Sequence, residues 1–369
     1  MYTHLCRLIQ CAIWQEKPDE WNLNNEEWNK LLQIAKVQAI QGLVIDGMCL
    51  LDKDRQPERQ KKLECAAMLH VMEQMNLKLN ALVERIFQEN GEKCPSMVLM
   101  KGQSIATRYP NPLHRACGDV DIYCHKKEEM AIINKWAKEI ASHIDTFYEA
   151  HHIVYRIEGL TVENHLILSE LRSKRLRENL RQIVAEEIQK HSTCMPSCMI
   201  NNIAIPELPT NLYALFLLVH MAEHLIEDGL GMRQVVDWCM FFDKEGEKVD
   251  KVRFRAYVKK MDLERLAHAF GEIIVDDLGL KETKLPFTLQ RNEHRKQLLI
   301  NAMMKGGNFG HELYPWKGNV NKIYDMWLTA QVKIPRYAHM YNFWPKEARA
   351  CYSAMLARGI RRFFQIIKK

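Results

Sequence analysis

Apolar residues three and four positions apart fill most of the first ninety residues. The pattern runs from Leu5 to Ile13, again from Trp28 to Ala35, and over a longer stretch from Leu63 to Ile86. This spacing places the apolar side chains on one face of an α-helix. The longest stretch stops at Asn90–Gly91, where glycine favours a helix end. The pattern predicts an N-terminal helical region over residues 1–92.

The period changes after this region, and short runs typical of β-strands begin. The last two runs are joined at Glu158–Gly159 and predict a hairpin. A helical pattern over 127–142 separates the strand candidates, so we expect helices packed on a small mixed sheet over residues 93–206. Asn201–Asn202 predicts a second hairpin. The predicted strands cover residues 97–100, 118–123, 153–157 and 160–166.

Helical periodicity returns after residue 206 and continues to the end of the chain. We therefore predict three parts: an N-terminal helical region (1–92), an α/β core (93–206) and a C-terminal helical domain (207–369). The predicted fold class is α+β, a small mixed β-sheet core flanked by helical regions.

Composition narrows the class of protein. The 369 residues are 47% hydrophobic and 27% charged, which is typical of a globular chain of more than one domain. The longest apolar run, Tyr213–Val219, is too short to cross a membrane, and no secretory leader is recognisable at the N-terminus. We expect a cytoplasmic protein, without membrane insertion, whose eleven cysteines are reduced thiols.

The net charge of +6 suits anionic ligands in general. It is too small and too dispersed to predict nucleic-acid binding by itself. Charge therefore leaves the class of ligand open.

The most informative segment runs from Met97 to His125. It predicts a strand, a turn at Lys101–Gly102, a short helix, and a second strand that carries Asp119 and Asp121. Residues two apart on a strand share a face, so the two carboxylates lie side by side and repel each other unless a cation binds between them. Mg²⁺ binds such carboxylates together with substrate phosphates. The pair predicts metal-assisted phosphoryl-type transfer, although the same pattern also occurs on exposed strand edges.

This arrangement resembles the nucleotidyltransferase superfamily that includes DNA polymerase beta. It is most similar to a branch of uncharacterised bacterial nucleotidyltransferases with Lys-Gly in place of the usual Gly-Gly or Gly-Ser. The matching positions run from the predicted α/β core into the C-terminal helices: Lys101–Gly102, Tyr109–Pro110, Arg115, Asp119, Asp121, Val162–His165, His220, His224, Arg233 and Asp237–Trp238.

The resemblance implies a metal site with a third carboxylate from a neighbouring strand. Asp119, Asp121 and Glu163 would hold Mg²⁺ or Mn²⁺ and act in catalysis. Glu163 matches the third position on a predicted strand. Glu158 is the competing acid, and its place in the tight turn makes it the weaker candidate.

The resemblance also implies how a nucleoside triphosphate would bind. Gly102, which has no Cβ, would let the backbone approach the phosphates, and the amides of the short helix would face them. Ser104 would donate its hydroxyl, and Lys101 and Arg115 would balance the phosphate charge. For Lys101, a side chain that simply reaches solvent from a strand end is an equal alternative.

The implied activity is transfer of a nucleoside monophosphate from an NTP, such as ATP, to an acceptor hydroxyl, with release of pyrophosphate. The alternative is a catalytically inactive protein of this fold that binds a ligand or partner. Small molecules, proteins and RNA ends all fit the hydroxyl acceptor. The sequence determines neither the preferred NTP nor the oligomeric state.

Two further residue pairs stand four apart in the C-terminal helical pattern. His220 and His224 predict core or nucleotide-facing hydrogen bonding rather than zinc binding, because no third zinc ligand is apparent. Arg233 and Asp237 predict a salt bridge. The glycine-rich segment 305–311 predicts a loop.

Overall fold

The computed structural model describes residues 1–18, 20–145, 152–307 and 322–367. The predicted loop at 305–311 lies mostly outside these residues. Its first residues, Lys305 and Gly306, end a helix instead.

The N-terminal region is helical, as predicted. Asn24 begins the second helix with a capping box, in which its side chain accepts from the Glu27 amide and Glu27 accepts from the Asn24 amide. The last helix of the region ends at Asn90. The helices are α1 (Tyr2–Trp14), α2 (Asn25–Val37), α3 (Gln41–Cys49) and α4 (Arg59–Asn90).

The α/β core contains a five-stranded sheet, which confirms the α+β class. Its strands are β1 (Met97–Leu99), β2 (Asp119–Cys124), β3 (His143–Asp145), β4 (His152–Ile157) and β5 (Leu160–His165), with helices α5 (Gln103–Ala106) and α6 (Lys127–Ile140) between them. The strand order is β1-β2-β5-β4-β3. The β2–β5 pair is parallel and the other neighbours are antiparallel.

Helix α7 (Lys174–Lys190) leads from the sheet to the second hairpin, formed by β6 (Ser197–Ile200) and β7 (Ile203–Pro206). The turn residues Asn201 and Asn202 both have positive φ angles, 48° and 67°. Asparagine tolerates this conformation better than most residues, which is why the pair predicted the hairpin.

The C-terminal region is helical among its described residues. None of the described helices combines the length and apolar character that crossing a membrane requires. All eleven cysteines are free thiols. The helices are α8 (Thr210–Glu227), α9 (Met232–Glu245), α10 (Lys251–Lys260), α11 (Glu264–Glu272), α12 (Glu293–Gly306), α13 (Lys322–Met340) and α14 (Pro345–Ile367).

The two faces of the sheet have different roles. Val120 and Ile122 of β2 pack with apolar residues of α4 and α6 in one core. Tyr123 belongs instead to the core built by the C-terminal helices. Because residues alternate along a strand, Asp119 and Asp121 share the face of Tyr123 and lie towards α8.

Helices α1–α3 share a hydrophobic core with the C-terminal helices. The hydroxyl of Tyr2 donates to Asp277 Oδ2 at 2.8 Å, and Trp14 Nε1 donates to the Leu278 carbonyl at 2.7 Å. The predicted division at residues 92 and 206 stays a prediction, and this core crosses both boundaries.

Candidate active site

The parallel pairing of β2 with β5 brings two acids together. Asp121 lies directly opposite Glu163 in this register. His165 follows Glu163 by two residues and therefore shares its face. Its Nε2 lies 3.0 Å from Asp121 Oδ1 and 3.3 Å from Glu163 Oε2.

Lys101 reaches the same point from the turn after β1. Its Nζ lies 3.2 Å from Asp121 Oδ2. Asp119 lies two residues before Asp121 and lines the cleft in front of these groups. The sequence-predicted residues Lys101, Asp119, Asp121 and Glu163 therefore meet, and His165 joins them.

The charges of this cluster stabilise one another. Burial lowers the pKa of Lys101, but Asp121, Asp119 and Glu163 outweigh it and leave the pKa raised. Burial likewise opposes the charge of His165, yet its hydrogen bonds to Asp121 and Glu163 raise its pKa to about 9. Asp121 has a lowered pKa despite its burial, because Lys101 and His165 face it. The charge of Asp121 in turn raises the pKa of Asp119.

The donor set fits a divalent metal ion. Ligand atoms of Asp121, Glu163 and His165 lie within 4.8 Å of one another. Oδ2 of Asp121 is buried without a well-aligned hydrogen-bond donor among the described residues. Carboxylate oxygens suit Mg²⁺ or Mn²⁺, and imidazole nitrogen suits transition metals. Asp119 is outside this group of three but lines the same cleft.

Gly102 forms the edge of the cleft next to Lys101. Its φ of 59° and ψ of −119° are strained for a residue with a side chain. The cleft has a volume of about 400 Å³. A glycine turn therefore borders a cavity that contains both acids and cations.

Helix α8 forms the wall opposite the sheet. His220 and His224 both line the cleft, and their Nε2 atoms lie 3.1 Å apart. Burial, together with the nearby charge of Lys101, lowers the pKa of His220 well below its usual range and that of His224 to about 3. The two rings are therefore neutral and hydrogen-bonded to each other.

Arg115 lines the cleft, but its guanidinium binds Asp237 and does not point to an open phosphate site. Its Nε and Nη2 each donate to the Asp237 carboxylate at 2.7 Å, and both side chains are 4% exposed. The hydroxyl of Tyr109 also donates to Asp237, at 2.6 Å. The salt bridge predicted between Arg233 and Asp237 is thus wrong, because Arg115 holds that carboxylate.

Ser104 does not reach the cleft. Its side chain is fully buried, and its hydroxyl donates to Glu207 Oε2 at 2.7 Å and lies 2.9 Å from the Tyr213 hydroxyl. Arg108 completes this buried group through an ion pair with Glu207. The structure therefore corrects the expected phosphate contact of Ser104, since its hydroxyl is already used in the core.

Arg233 departs from the expectation, whereas Glu158 lies in the turn where the sequence predicts it. Arg233 lines the cleft, donates from Nη1 to the Ala116 carbonyl at 2.7 Å, and has a buried Nε without a hydrogen-bond partner among the described residues. Glu158, the alternative third acid, lies in the hairpin turn, where it pairs with Arg85 at 2.8 Å.

The family comparison covers this whole arrangement. A family model described as uncharacterised nucleotidyltransferase matches residues 24–275, which is more than half of the chain. The chain belongs to this nucleotidyltransferase family. The comparisons with curated proteins and with solved structures find no match. Membership supports nucleotidyl transfer as the general chemistry.

Sequence reasoning missed two functional candidates of this nucleotidyltransferase. His165 was part of the matched strand but had no assigned role; its spacing of two from Glu163 was the available signal. Arg233 was assigned to Asp237 because four-residue spacing on a helix predicts an ion pair. Arg233 has no ion pair with Asp237 because Arg115, 118 residues earlier in the chain, binds that carboxylate, and residue spacing cannot reveal such a contact.

Proposed function

We propose that this chain transfers a nucleoside monophosphate from an NTP to an acceptor hydroxyl. The observation that carries the proposal is the pairing of Asp121 with Glu163 on adjacent parallel strands, beside the Gly102 turn. In the reaction, the acceptor oxygen forms a bond to the α-phosphorus. The bond from that phosphorus to the oxygen of the β-phosphate breaks, and pyrophosphate leaves.

Asp121 and Glu163, with Asp119 and His165 beside them, would hold the divalent ion. When bound, Mg²⁺ or Mn²⁺ supplies electrostatic stabilisation to the transferring phosphate and the leaving pyrophosphate. Glu163 is more accessible than Asp121, with 25% of its side chain exposed against 0%, so it orients the acceptor hydroxyl and takes its proton.

The cations on either side of the cleft would hold the triphosphate. Lys101 and Arg233 line it from the sheet and from α9, and Gly102 leaves room for the phosphates at the turn. Arg115 has a positioning role, because its ion pair with Asp237 fixes α9 next to the loop that leads into β2 and Asp119. Catalysis by such residues consists mainly of positioning and electrostatic stabilisation.

The test combines calorimetry with a transfer assay. ATP, GTP, CTP and UTP are titrated with Mg²⁺ or Mn²⁺, and α-phosphate-labelled NTPs are incubated with cell extract. We expect the wild type and the control Glu158→Gln to bind nucleotide and label an acceptor, and Asp121→Asn to label none. Nucleotide binding without labelling by the wild type would contradict the transfer and favour the binding-module alternative.

A further inference from the structure

A groove adjoins the cleft beyond the end of β5. Its volume is about 1190 Å³, and it lies between the end of β2, the start of α6 and one face of α7. Ile167, Leu168 and Ser169 line both the groove and the cleft. Strand β5, which carries Glu163, therefore leads directly into the segment that lines both the groove and the cleft.

The floor of the groove is aliphatic. Leu180, Val184 and Ile188 line it from α7, and their spacing of four places them on one helix face. Leu166 faces them from the chain after β5. Tyr123 also lines the groove, but it is only 4% exposed. Sites for single-stranded nucleic acid present open aromatic faces for base stacking, so this floor suits an aliphatic chain better.

One end of the groove is basic. Lys174 and Arg177 in the first turns of α7 and Lys127 at the start of α6 line it, and all three are exposed. None of the three side chains makes a hydrogen bond or ion pair with another described residue. Arg181, further along, is paired with Glu178 at 3.4 Å.

The position of these cations on α7 is unusual. Acidic residues normally occupy the first turn of a helix, because the macrodipole makes that end positive. The first turn of α7 contains no acid, and Lys174 and Arg175 stand there instead. The Glu347 carboxylate accepts hydrogen bonds from the Arg172 and Ser173 amides at this helix end, so the charge left for a bound anion is that of the exposed Lys174 and Arg177 side chains.

We infer that this groove binds the acceptor of the proposed nucleotidyl transfer, and that the acceptor is a small amphiphile with an aliphatic body and an anionic group such as a phosphate ester. The inference rests on the proposed function. The anion lies against Lys174 and Arg177, and the body covers the aliphatic floor. The hydroxyl end passes Ile167–Ser169 towards Glu163.

Binding is tested first without nucleotide or metal, by calorimetry on the full chain below the micelle concentrations. The probes are decyl phosphate, methyl phosphate, which lacks the aliphatic body, and decyltrimethylammonium, which reverses the charge. We expect decyl phosphate to bind at least about tenfold more tightly than the other two probes, because it alone makes both the ionic contact with the cations and the apolar contact with the floor. Equal binding of decyl phosphate and decyltrimethylammonium would overturn the inference.

Variants locate the binding. Lys174→Glu with Arg177→Glu should weaken decyl phosphate about tenfold or more, and Val184→Asp should also weaken it. Arg175→Glu is the matched control, since Arg175 is exposed on the same turn but does not line the groove. Circular dichroism checks that each variant is folded. An equal loss in Arg175→Glu would show a general charge effect and overturn the assignment.

The acceptor role is tested separately with ω-hydroxydecyl phosphate, and with decyl phosphate as its unreactive match. We expect only the hydroxyl compound to stimulate pyrophosphate release and to take up the labelled phosphate. If other acceptors are labelled and this one is not, the groove is not the acceptor site. If no acceptor at all is labelled while decyl phosphate still binds, the transfer itself is refuted, and the acceptor role with it.

Discussion

His165 Nε2 lies 3.0 Å from Oδ1 of Asp121. With a pKa of about 9, His165 is protonated at neutral pH and donates to this carboxylate. Lys101 approaches the other oxygen of Asp121. Without a metal ion, Lys101 and protonated His165 thus neutralise the acids, so an incoming ion competes with the charge of Lys101, and His165 must release its proton before its imidazole can bind the ion.

The competition predicts opposite effects of one substitution. Lys101→Met should strengthen Mn²⁺ binding in the absence of nucleotide by about tenfold, equivalent to ~1.4 kcal/mol, because a competing charge is removed. It should weaken NTP binding, because a phosphate contact is lost. Calorimetry measures both affinities.

Lys135→Met, on the exposed surface of α6, is the control for this pair of measurements and should leave both affinities unchanged. Weaker Mn²⁺ binding in Lys101→Met would show that Lys101 organises the acids rather than competing for them.

Arg233 is expected to bind phosphate. Arg233→Gln should weaken NTP binding by about tenfold, since a charge-assisted hydrogen bond contributes on the order of 1.5–3 kcal/mol. Arg233→Lys, which keeps the charge, should retain more of the affinity. Nucleotide titrations on the three proteins make the comparison, and equal affinities would exclude Arg233 from the site.

The buried pair of Arg115 and Asp237 is expected to stabilise the fold. Asp237→Asn leaves the Arg115 guanidinium buried without its counter-charge, and breaking such a pair costs about 3–5 kcal/mol. Urea denaturation measures this loss. Asp52→Asn, which breaks an exposed pair with Lys17, serves as the control and should change the midpoint little.

Glu223 is expected to make stability depend on pH. Burial raises its pKa to about 7, although Ser169 and the Glu170 amide donate to it. The unfolded chain releases this proton near pH 4.5, so between about pH 4.5 and 7 the native state binds more protons and stability falls as pH rises. The total loss is up to roughly 3 kcal/mol, at about 1.4 kcal/mol per pKa unit.

Glu223→Gln removes the titrating group and keeps an oxygen to accept both hydrogen bonds. Its free energy of unfolding, measured by urea denaturation from pH 5 to about 8, should fall less steeply than that of the wild type. Parallel curves for the two proteins would contradict the assignment to Glu223.

The regular elements of the α/β core could be predicted from sequence because their signals are local. The alternating pattern around Glu158–Gly159 marked the hairpin, and Asp119 with Asp121 marked the strand face. Strand β3 was not predicted, because it has only three residues and its burial alternates from exposed to half-buried. Its pairing with β4, rather than its own composition, defines it.

Site contacts were harder to predict where a partner is distant in sequence. Ser104 lies beside the glycine turn, as phosphate-binding residues often do. Its hydroxyl is buried, however, where it contacts Glu207 and Tyr213. Arg115 similarly finds Asp237 on α9. Neither partner is adjacent in sequence, so hydrogen-bond competition in the folded chain decided both outcomes.

The contact between Tyr2 and Asp277 also fixes an order of events during synthesis. Helix α1 emerges from the ribosome first and can pack on α3, yet the acceptors of two of its hydrogen bonds, Asp277 and the Leu278 carbonyl, lie 275 and 264 residues later in the chain. Chains generally fold in the order in which their contacting segments become available. We expect the α4–sheet unit and the packing of α1 on α3 to form early, while the first helix gains its hydrogen bonds to residues 277 and 278 only after the last third of the chain has begun to emerge.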